Sequence, residues 1–229
     1  MRELALFAGV GGGLLGGHLL GWKTVCAVEV EDYPRRVLLA RQADGCLPHF
    51  PIWDDVCTFD GRPWKGRIDV ISGGFPCQPF SGAAHGNNTA RDFWPEMARI
   101  VRESTPPNVF AENVQRKPIE RAAGDLYEAG YTCRFTMLPA SCLGAPHPRN
   151  RWWLVAHTNT NRQPRLPEYV EVAESPSVPA LDIWEKDYTE PMGVSNGIPS
   201  RLDRLRGLGN AQVPALAALA WRLLRGLDT

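Results

Sequence analysis

The sequence has no Cys-x-x-Cys pair and no His/Cys cluster at the spacing of zinc ligands. Its six cysteines (Cys26, Cys46, Cys57, Cys77, Cys133, Cys142) are scattered, which favours reduced thiols over a disulfide framework or a structural metal. No stretch approaches the roughly 18 uncharged apolar residues of a membrane span. The first residues run into an apolar stretch and a glycine cluster without the pattern of a cleaved leader. A cytoplasmic protein with neither metal nor membrane partner is expected. Internal repeats and low-complexity runs are also missing, which excludes a solenoid. Net charge is absent too, 25 basic against 25 acidic residues, so no overall field draws the chain to a polyanion.

That balance conceals an asymmetry. Residues 129–167 contain no acid but five arginines (Arg134, Arg149, Arg151, Arg162, Arg165) with His147 and His157 among them, so this stretch could face a polyanion. Residues 168–190 hold seven acids against Lys186 alone and should avoid phosphates.

What is present is an alternation of strands and helices in a chain 44% hydrophobic, enough for a real core. Strands are expected at 3–8, 24–30, 68–72, 108–111, 131–138 and 152–156, and helices at 14–20, 33–43, 96–103 and 119–129. A last helix is opened by Pro214, with Leu216, Leu219, Leu223 and Leu227 as its apolar stripe. Repeated strand and helix units imply an α/β fold, a Rossmann-like, mostly parallel sheet with helices on both faces. Ligands of such sheets bind beyond the carboxyl ends of the strands, here residues 8–13, 29–32, 73–78 and 112–114. The expected organisation is a catalytic and cofactor-binding domain at 1–156, a loop-like region at 157–200 and a segment at 201–229 that packs back on the core.

Two clusters could carry chemistry. Phe7-Ala8-Gly9-Val10-Gly11-Gly12 follows a strand and opens a helix, and Glu29 closes the next strand about 20 residues on. Glycines admit a ligand to the backbone and a carboxylate accepts from ribose hydroxyls, so a nucleotide cofactor fits, with NAD, FAD and S-adenosylmethionine all compatible. In Gly73-Gly74-Phe75-Pro76-Cys77-Gln78-Pro79-Phe80-Ser81 a cysteine stands between prolines just past a strand. A buried small hydrophobe is the usual fate of a cysteine, but this setting points to a rigid, exposed turn.

The order of these motifs resembles that of the DNA cytosine-5 methyltransferases, especially compact members of phages and prophages. Phe7, Ala8, Gly9, Gly11 and Gly12 are similar to the family's cofactor loop, Glu29 with Val30 to its ribose-binding position, and Asp55 with Val56 to its adenine-binding acid. Gly74 to Ser81 resembles the Pro-Cys nucleophile loop, Phe110 to Val114 the Glu-Asn-Val motif, and Arg149 and Arg151 the Gln-x-Arg-x-Arg motif. Gly209-Asn210-Ala211-Gln212-Val213-Pro214 resembles the Gly-Asn motif that returns to the cofactor. The resemblance implies the S-adenosylmethionine-dependent methyltransferase fold and methyl transfer from S-adenosylmethionine to carbon 5 of a flipped-out cytosine in DNA, leaving S-adenosylhomocysteine. It assigns Cys77 as nucleophile at carbon 6, Glu112 as the acid at N3, Arg151 as the cation at O2 and Arg149 as its partner. Pro76, Asn210 and Ala211 fall on the cofactor side, and Gln78 and Ser81 on the DNA side.

The chain departs from the pattern in three places. His147 replaces a glutamine, Val30 stands where an aromatic ring often packs on adenine, and only 57 residues separate Arg151 from Gly209, where the family holds a target-recognition domain. A reduced recognition region at 157–200 is therefore expected. Arg162, Arg165, Arg201 and Arg204 are the candidate DNA contacts, enough for two to four base pairs at about 1–3 kcal/mol per bidentate contact. An RNA-directed enzyme of the same family and a catalytically silent homologue remain as rival readings. A dehydrogenase fits the glycine loop but leaves Pro76-Cys77-Gln78 unexplained.

Overall fold

The computed structural model describes residues 1–76, 92–145, 147–158, 163–172 and 201–226, with Arg201 described by its backbone alone. One eight-stranded sheet organises them, in the order β3-β2-β1-β4-β5-β7-β6-β8. Its strands are β1 (Arg2–Leu6), β2 (Lys23–Val28), β3 (Ile52–Trp53), β4 (Val70–Gly74), β5 (Asn108–Asn113), β6 (Thr132–Leu138), β7 (Arg151–His157) and β8 (Glu168–Tyr169). From β3 to β5 all neighbours are parallel. β7 is inserted antiparallel between β5 and β6, and β8 runs parallel to β6. The expected mostly parallel α/β sheet is therefore present, with an antiparallel far half.

The helices are α1 (Gly12–Leu19), α2 (Asp32–Ala43), α3 (Trp94–Ser104), α4 (Arg116–Glu128), α5 (Arg201–Asn210) and α6 (Pro214–Arg225). They cover both faces because successive strand side chains point to opposite sides. Leu4, Leu6, Cys26 and Val28 pack with Met97, Ile100, Ile119 and Leu126 of α3 and α4. The alternate positions Ala5 and Ala27 meet Leu14 and Leu38 of α1 and α2. On that second face, Val70, Phe110 and Trp153 pack against Leu216, Ala220, Trp221 and Leu224 of α6; of the expected stripe Leu216 is buried, Leu219 and Leu223 are partly buried, and Leu227 lies outside the described residues. Every expected element is present within a few residues of its expected ends, and β3, β8 and α5 are additional. Among the described residues no helix is long and apolar enough to cross a membrane.

Parallel order places the exits of β1, β2, β4 and β5 along one edge of the sheet. Because β7 runs the other way, its first residue, Arg151, joins that edge, while its last, His157, lies beside Asn108 at the opposite one.

Candidate active site

The chain leaves β1 through Phe7 and Gly9, both at φ 54, and Gly11 at φ 96. These three left-handed residues turn it into α1, and the loop is fastened to Glu29. That carboxylate, at the exit of β2, accepts the Gly9 N–H at 2.7 Å on Oε2 and the Glu31 N–H at 2.8 Å on Oε1. It is buried, and burial raises its pKa while the two backbone donors pull it down. Asp55, after β3, accepts the Cys57 N–H at 2.8 Å. Val56 is buried, whereas Val30 is 62% exposed.

The exit of β4 is built more tightly. Gly74 pairs with Glu112 across the parallel ladder, and a Cβ on Gly74 would stand 2.6 Å from Glu112 Oε2. Only glycine lets that carboxyl lie there. The next residues, Phe75 and Pro76, are anchored at both carbonyls. Asn113 Nδ2 donates to the Phe75 oxygen at 2.9 Å, and the Phe93 N–H donates to the Pro76 oxygen at 3.2 Å. Phe75 is itself buried, its ring 5.2 Å from that of Trp94. Cys77 follows Pro76 directly and lies outside the described residues, as do Gln78, Ser81 and Arg162.

Glu112 is buried, and desolvation pushes its pKa up to about 7 against the pull of Arg151, Gln212 and Arg149. Arg151 Nε lies 2.9 Å from Oε1 as an ion pair. Its N–H is not directed at that oxygen, so Oε1 has no hydrogen-bond partner among the described residues. A buried carboxyl that is half neutral near pH 7, with one oxygen uncommitted, is the arrangement of a proton donor waiting for an acceptor.

Arg149 requires a correction. Alternation along a strand would put it on the same face as Arg151, but it precedes β7 and adopts φ 36, which breaks the alternation. Its Nη2 donates to the carbonyls of Leu208, Gly209 and Ala211 at 3.3, 2.7 and 2.6 Å, while its charge still acts on Glu112. It clamps the C-terminal segment. That segment brings Asn210, Ala211 and Gln212 to the edge, where they line one pocket with Phe7, Ala8, Gly9, Gly12, Gly74 and Glu112. Its enclosed part measures about 50 Å³.

Arg165, a candidate DNA contact, stands apart from Glu112. Its backbone N–H binds Thr132 Oγ1 at 3.3 Å, and Thr132 is in line with His157 and so with Asn108. Arg165 therefore stands at the opposite edge of the sheet, four residues back from Glu112 along β5, about 13 Å at strand rise. It lines a separate cavity of about 450 Å³ with Arg134 and His157. Arg204 lies on α5, which rests against the glycine loop through Gly207 and Val10 and is tied to Glu31 by Arg206 at 2.7 Å. Asn113 and Gln212 lie inside the Glu-Asn-Val and Gly-Asn motifs, but the motifs gave neither a role of its own. Their side chains act across 38 and 100 residues of sequence, a reach that motif reading does not supply.

Comparison with known proteins matches residues 1–191 to the model of the C-5 cytosine-specific DNA methylase family. The type II methyltransferase M.CviJI of Paramecium bursaria Chlorella virus IL3A is 31% identical over 165 residues, 68% of this chain and 42% of that protein. M.NgoMIV of Neisseria gonorrhoeae is 32% identical over 166 residues, 69% of this chain and 52% of that protein. The chain thus spans about half the length of the curated relatives it matches. Among solved structures, a mutant DNMT2 of Spodoptera frugiperda superposes with a TM-score of 0.59 at 18% identity, over 78% of this chain and 57% of that one. The Dnmt2 methyltransferase of S. pombe gives 0.56 at 18%, over 73% and 51%. At these identities the likeness is one of fold. The family match, five-sixths of the chain long, goes further: this chain is a member of the C-5 cytosine-specific DNA methylases.

Proposed function

We propose that this chain methylates carbon 5 of cytosine in DNA, with S-adenosylmethionine as methyl donor. The observation that supports this reading best is Glu112: a buried carboxyl with a pKa of about 7, one free oxygen, and Arg151 at 2.9 Å, opposite the glycine that leads into Phe75-Pro76-Cys77.

The residues present fit the donor. The loop is open at Gly9, where a Cβ would meet nothing within 4 Å, whereas Gly11 and Gly12 are packed against Leu38 and Gln212 and hold the loop in shape. A cavity of about 50 Å³ lies among Phe7, Gly9, Gly74 and Glu112, where the methyl-bearing end would sit close to the acid. Glu29, Val30 and Asp55, which do not line that cavity, would hold the ribose and adenine. When bound, S-adenosylmethionine supplies an electrophilic methyl group.

The chain's residues would do the rest. The Cys77 thiolate adds to carbon 6 of the flipped-out base, its electron pair forming the C–S bond while the ring π pair moves toward carbon 5 and N3. Glu112 donates its proton at N3 and Arg151 balances the charge developing at O2. After transfer, water takes the proton from carbon 5, the C5=C6 bond re-forms, Cys77 leaves with the C–S pair and the N3 proton returns to Glu112. Asn113 and Phe93 hold Phe75 and Pro76 in place for this sequence.

We further propose that residues 157–200 act as a reduced recognition region, and that Arg204 touches the DNA backbone. The relatives named above are type II methyltransferases, and modification of a short site is the role proposed here. Incubation with DNA and tritiated S-adenosylmethionine followed by nucleoside analysis tests substrate, donor and product together. Label in 5-methylcytosine is expected; label in N4-methylcytosine, in adenine or only in RNA would refute the reading.

A further inference from the structure

Three glycines from two distant segments leave room for one residue, Gly12 for its backbone and Gly13 and Gly74 for its side chain. Gln212 sits between α5 and α6, and its carbonyl oxygen would stand 2.2 Å from a Cβ on Gly12. Its side-chain Oε1 would be 2.7 Å from a Cβ on Gly13, and its Nε2 3.0 Å from a Cβ on Gly74. That Nε2 donates to Glu112 Oε2 at 3.5 Å. The segment carrying it is held by the three carbonyl contacts of Arg149 and by α6 against α1, where a Cβ on Gly16 would meet the Pro214 oxygen at 3.0 Å.

We infer that Gln212 is a positioning residue for Glu112: delivered by the C-terminal segment, its amide holds Oε2 as an acceptor and so fixes the orientation of the carboxyl beside Arg151. The inference rests on the reading of Glu112 as the acid.

The physical argument concerns donors and acceptors. An amide N–H can only donate, so the oxygen it meets must accept. Oε2 is therefore held as an acceptor by the amide, while Oε1 lies 2.9 Å from Arg151 Nε, so the two oxygens have fixed and different neighbours. Without the amide the carboxyl is held, among the described residues, by Arg151 alone and can turn about its last bond. Because the amide spans the glycine loop and Glu112, docking of the C-terminal segment also sets the acid. The charged groups acting on Glu112 among the described residues are Arg151 and Arg149. Both favour the carboxylate, as the Gln212 donor does, so removing the donor shifts protonation to higher pH.

Two kinds of experiment test this on the full chain. In the wild-type protein the ¹⁵N signal of the Gln212 side-chain amide should titrate with a midpoint of about 7, following Glu112, and should stop titrating in Glu112→Gln. Gln212→Met keeps the length without the donor, and Gln212→Ala removes the bulk as well. Both should lower kcat about tenfold, the worth of one hydrogen bond to an ionisable group. They should also move the alkaline limb of the rate profile to higher pH and leave KM for S-adenosylmethionine within about twofold. A flat amide signal overturns the contact. Unmoved limbs with unchanged kcat in both variants, or a loss confined to cofactor KM, overturn the positioning role. A wild-type protein that transfers no methyl group while its amide still titrates upholds the contact and refutes the reaction reading instead.

Discussion

Glu3 and Glu112 lie at opposite ends of the same sheet, both buried, and burial raises each to about 7. Glu3, at the start of β1, has a hydroxyl on each oxygen: Ser72 Oγ donates to Oε1 at 2.6 Å and Thr24 Oγ1 to Oε2 at 2.7 Å. It ties β1 to β2 and β4 in the interior. Glu112, at the exit of β5, has one oxygen met by Gln212 and the other without a hydrogen bond, beside a cation. Equal burial therefore gives equal direction of pKa, and what separates the two carboxyls is that Glu3 has both oxygens hydrogen-bonded whereas Glu112 has one oxygen without a hydrogen bond among the described residues, beside a cation, the difference on which its proposed role rests.

The sharpest way to break this contrast is a pair of substitutions. Glu112→Gln should lower methyl transfer about a hundredfold or more, the scale of one general acid, whereas Glu3→Gln should change turnover less than about threefold. Steady-state rates on one DNA substrate decide it; equal losses would mean that burial, and not the free oxygen, was the relevant property.

Stability against pH comes next. Each carboxyl has a folded pKa near 7 against an ordinary 4.5, so the folded state binds the extra proton. The associated stability is fully present below about pH 4.5 and is lost as pH rises through about 7. Glu3→Gln cannot ionise and should flatten that decline, gaining on the order of a few kcal/mol over wild type at pH 8. Glu112→Gln should gain less, because it leaves Arg151, only 16% exposed, without its counter-ion. Denaturant unfolding of the three proteins at several pH values measures both; a wild-type stability that rises between pH 4.5 and 7 through Glu3 would reverse the sign.

How far the contrast was legible in the sequence depends on the distance over which each signal acts. The glycine loop, Glu29 and the Glu-Asn-Val strand end are local patterns, and the expected strands at 3–8, 24–30 and 108–111 correspond to β1, β2 and β5. β3 and β8 escaped because two residues carry no periodicity, and Glu168 belongs to an acidic stretch that suggests solvent. α5 escaped because Leu202, Leu205 and Leu208 are exposed, so its apolar positions do not mark a buried face. The insertion of β7 between β5 and β6 is a tertiary event with no local mark, yet it moves Arg151 to one edge and Arg165 to the other. Arg149 was misjudged for a backbone reason, since strand alternation does not extend to a residue at φ 36. Gln212 shows itself only when Gly12, Gly13 and Gly74 are seen to surround it.

Smaller effects follow from those corrected positions. Arg149→Ala releases three carbonyls of the C-terminal segment and should raise KM for S-adenosylmethionine severalfold. Isothermal titration with S-adenosylhomocysteine checks the affinity directly, and an unchanged dissociation constant would remove the clamp from the account. Arg165→Ala, at the far edge, should alter DNA affinity less than about twofold at fixed salt. A loss above tenfold would show that DNA reaches the antiparallel half of the sheet.

The covalent route to carbon 5 is tested most directly by trapping. DNA carrying 5-fluorocytosine at the modified position should, with S-adenosylmethionine, form a complex with the wild-type chain that survives a denaturing gel, because fluorine cannot leave as the carbon 5 proton does and Cys77 stays bound to carbon 6. The complex should be absent with Cys77→Ala and strongly reduced with Glu112→Gln. Methyl transfer to cytosine with no retained DNA, or a trapped complex that persists in Cys77→Ala, would contradict the account.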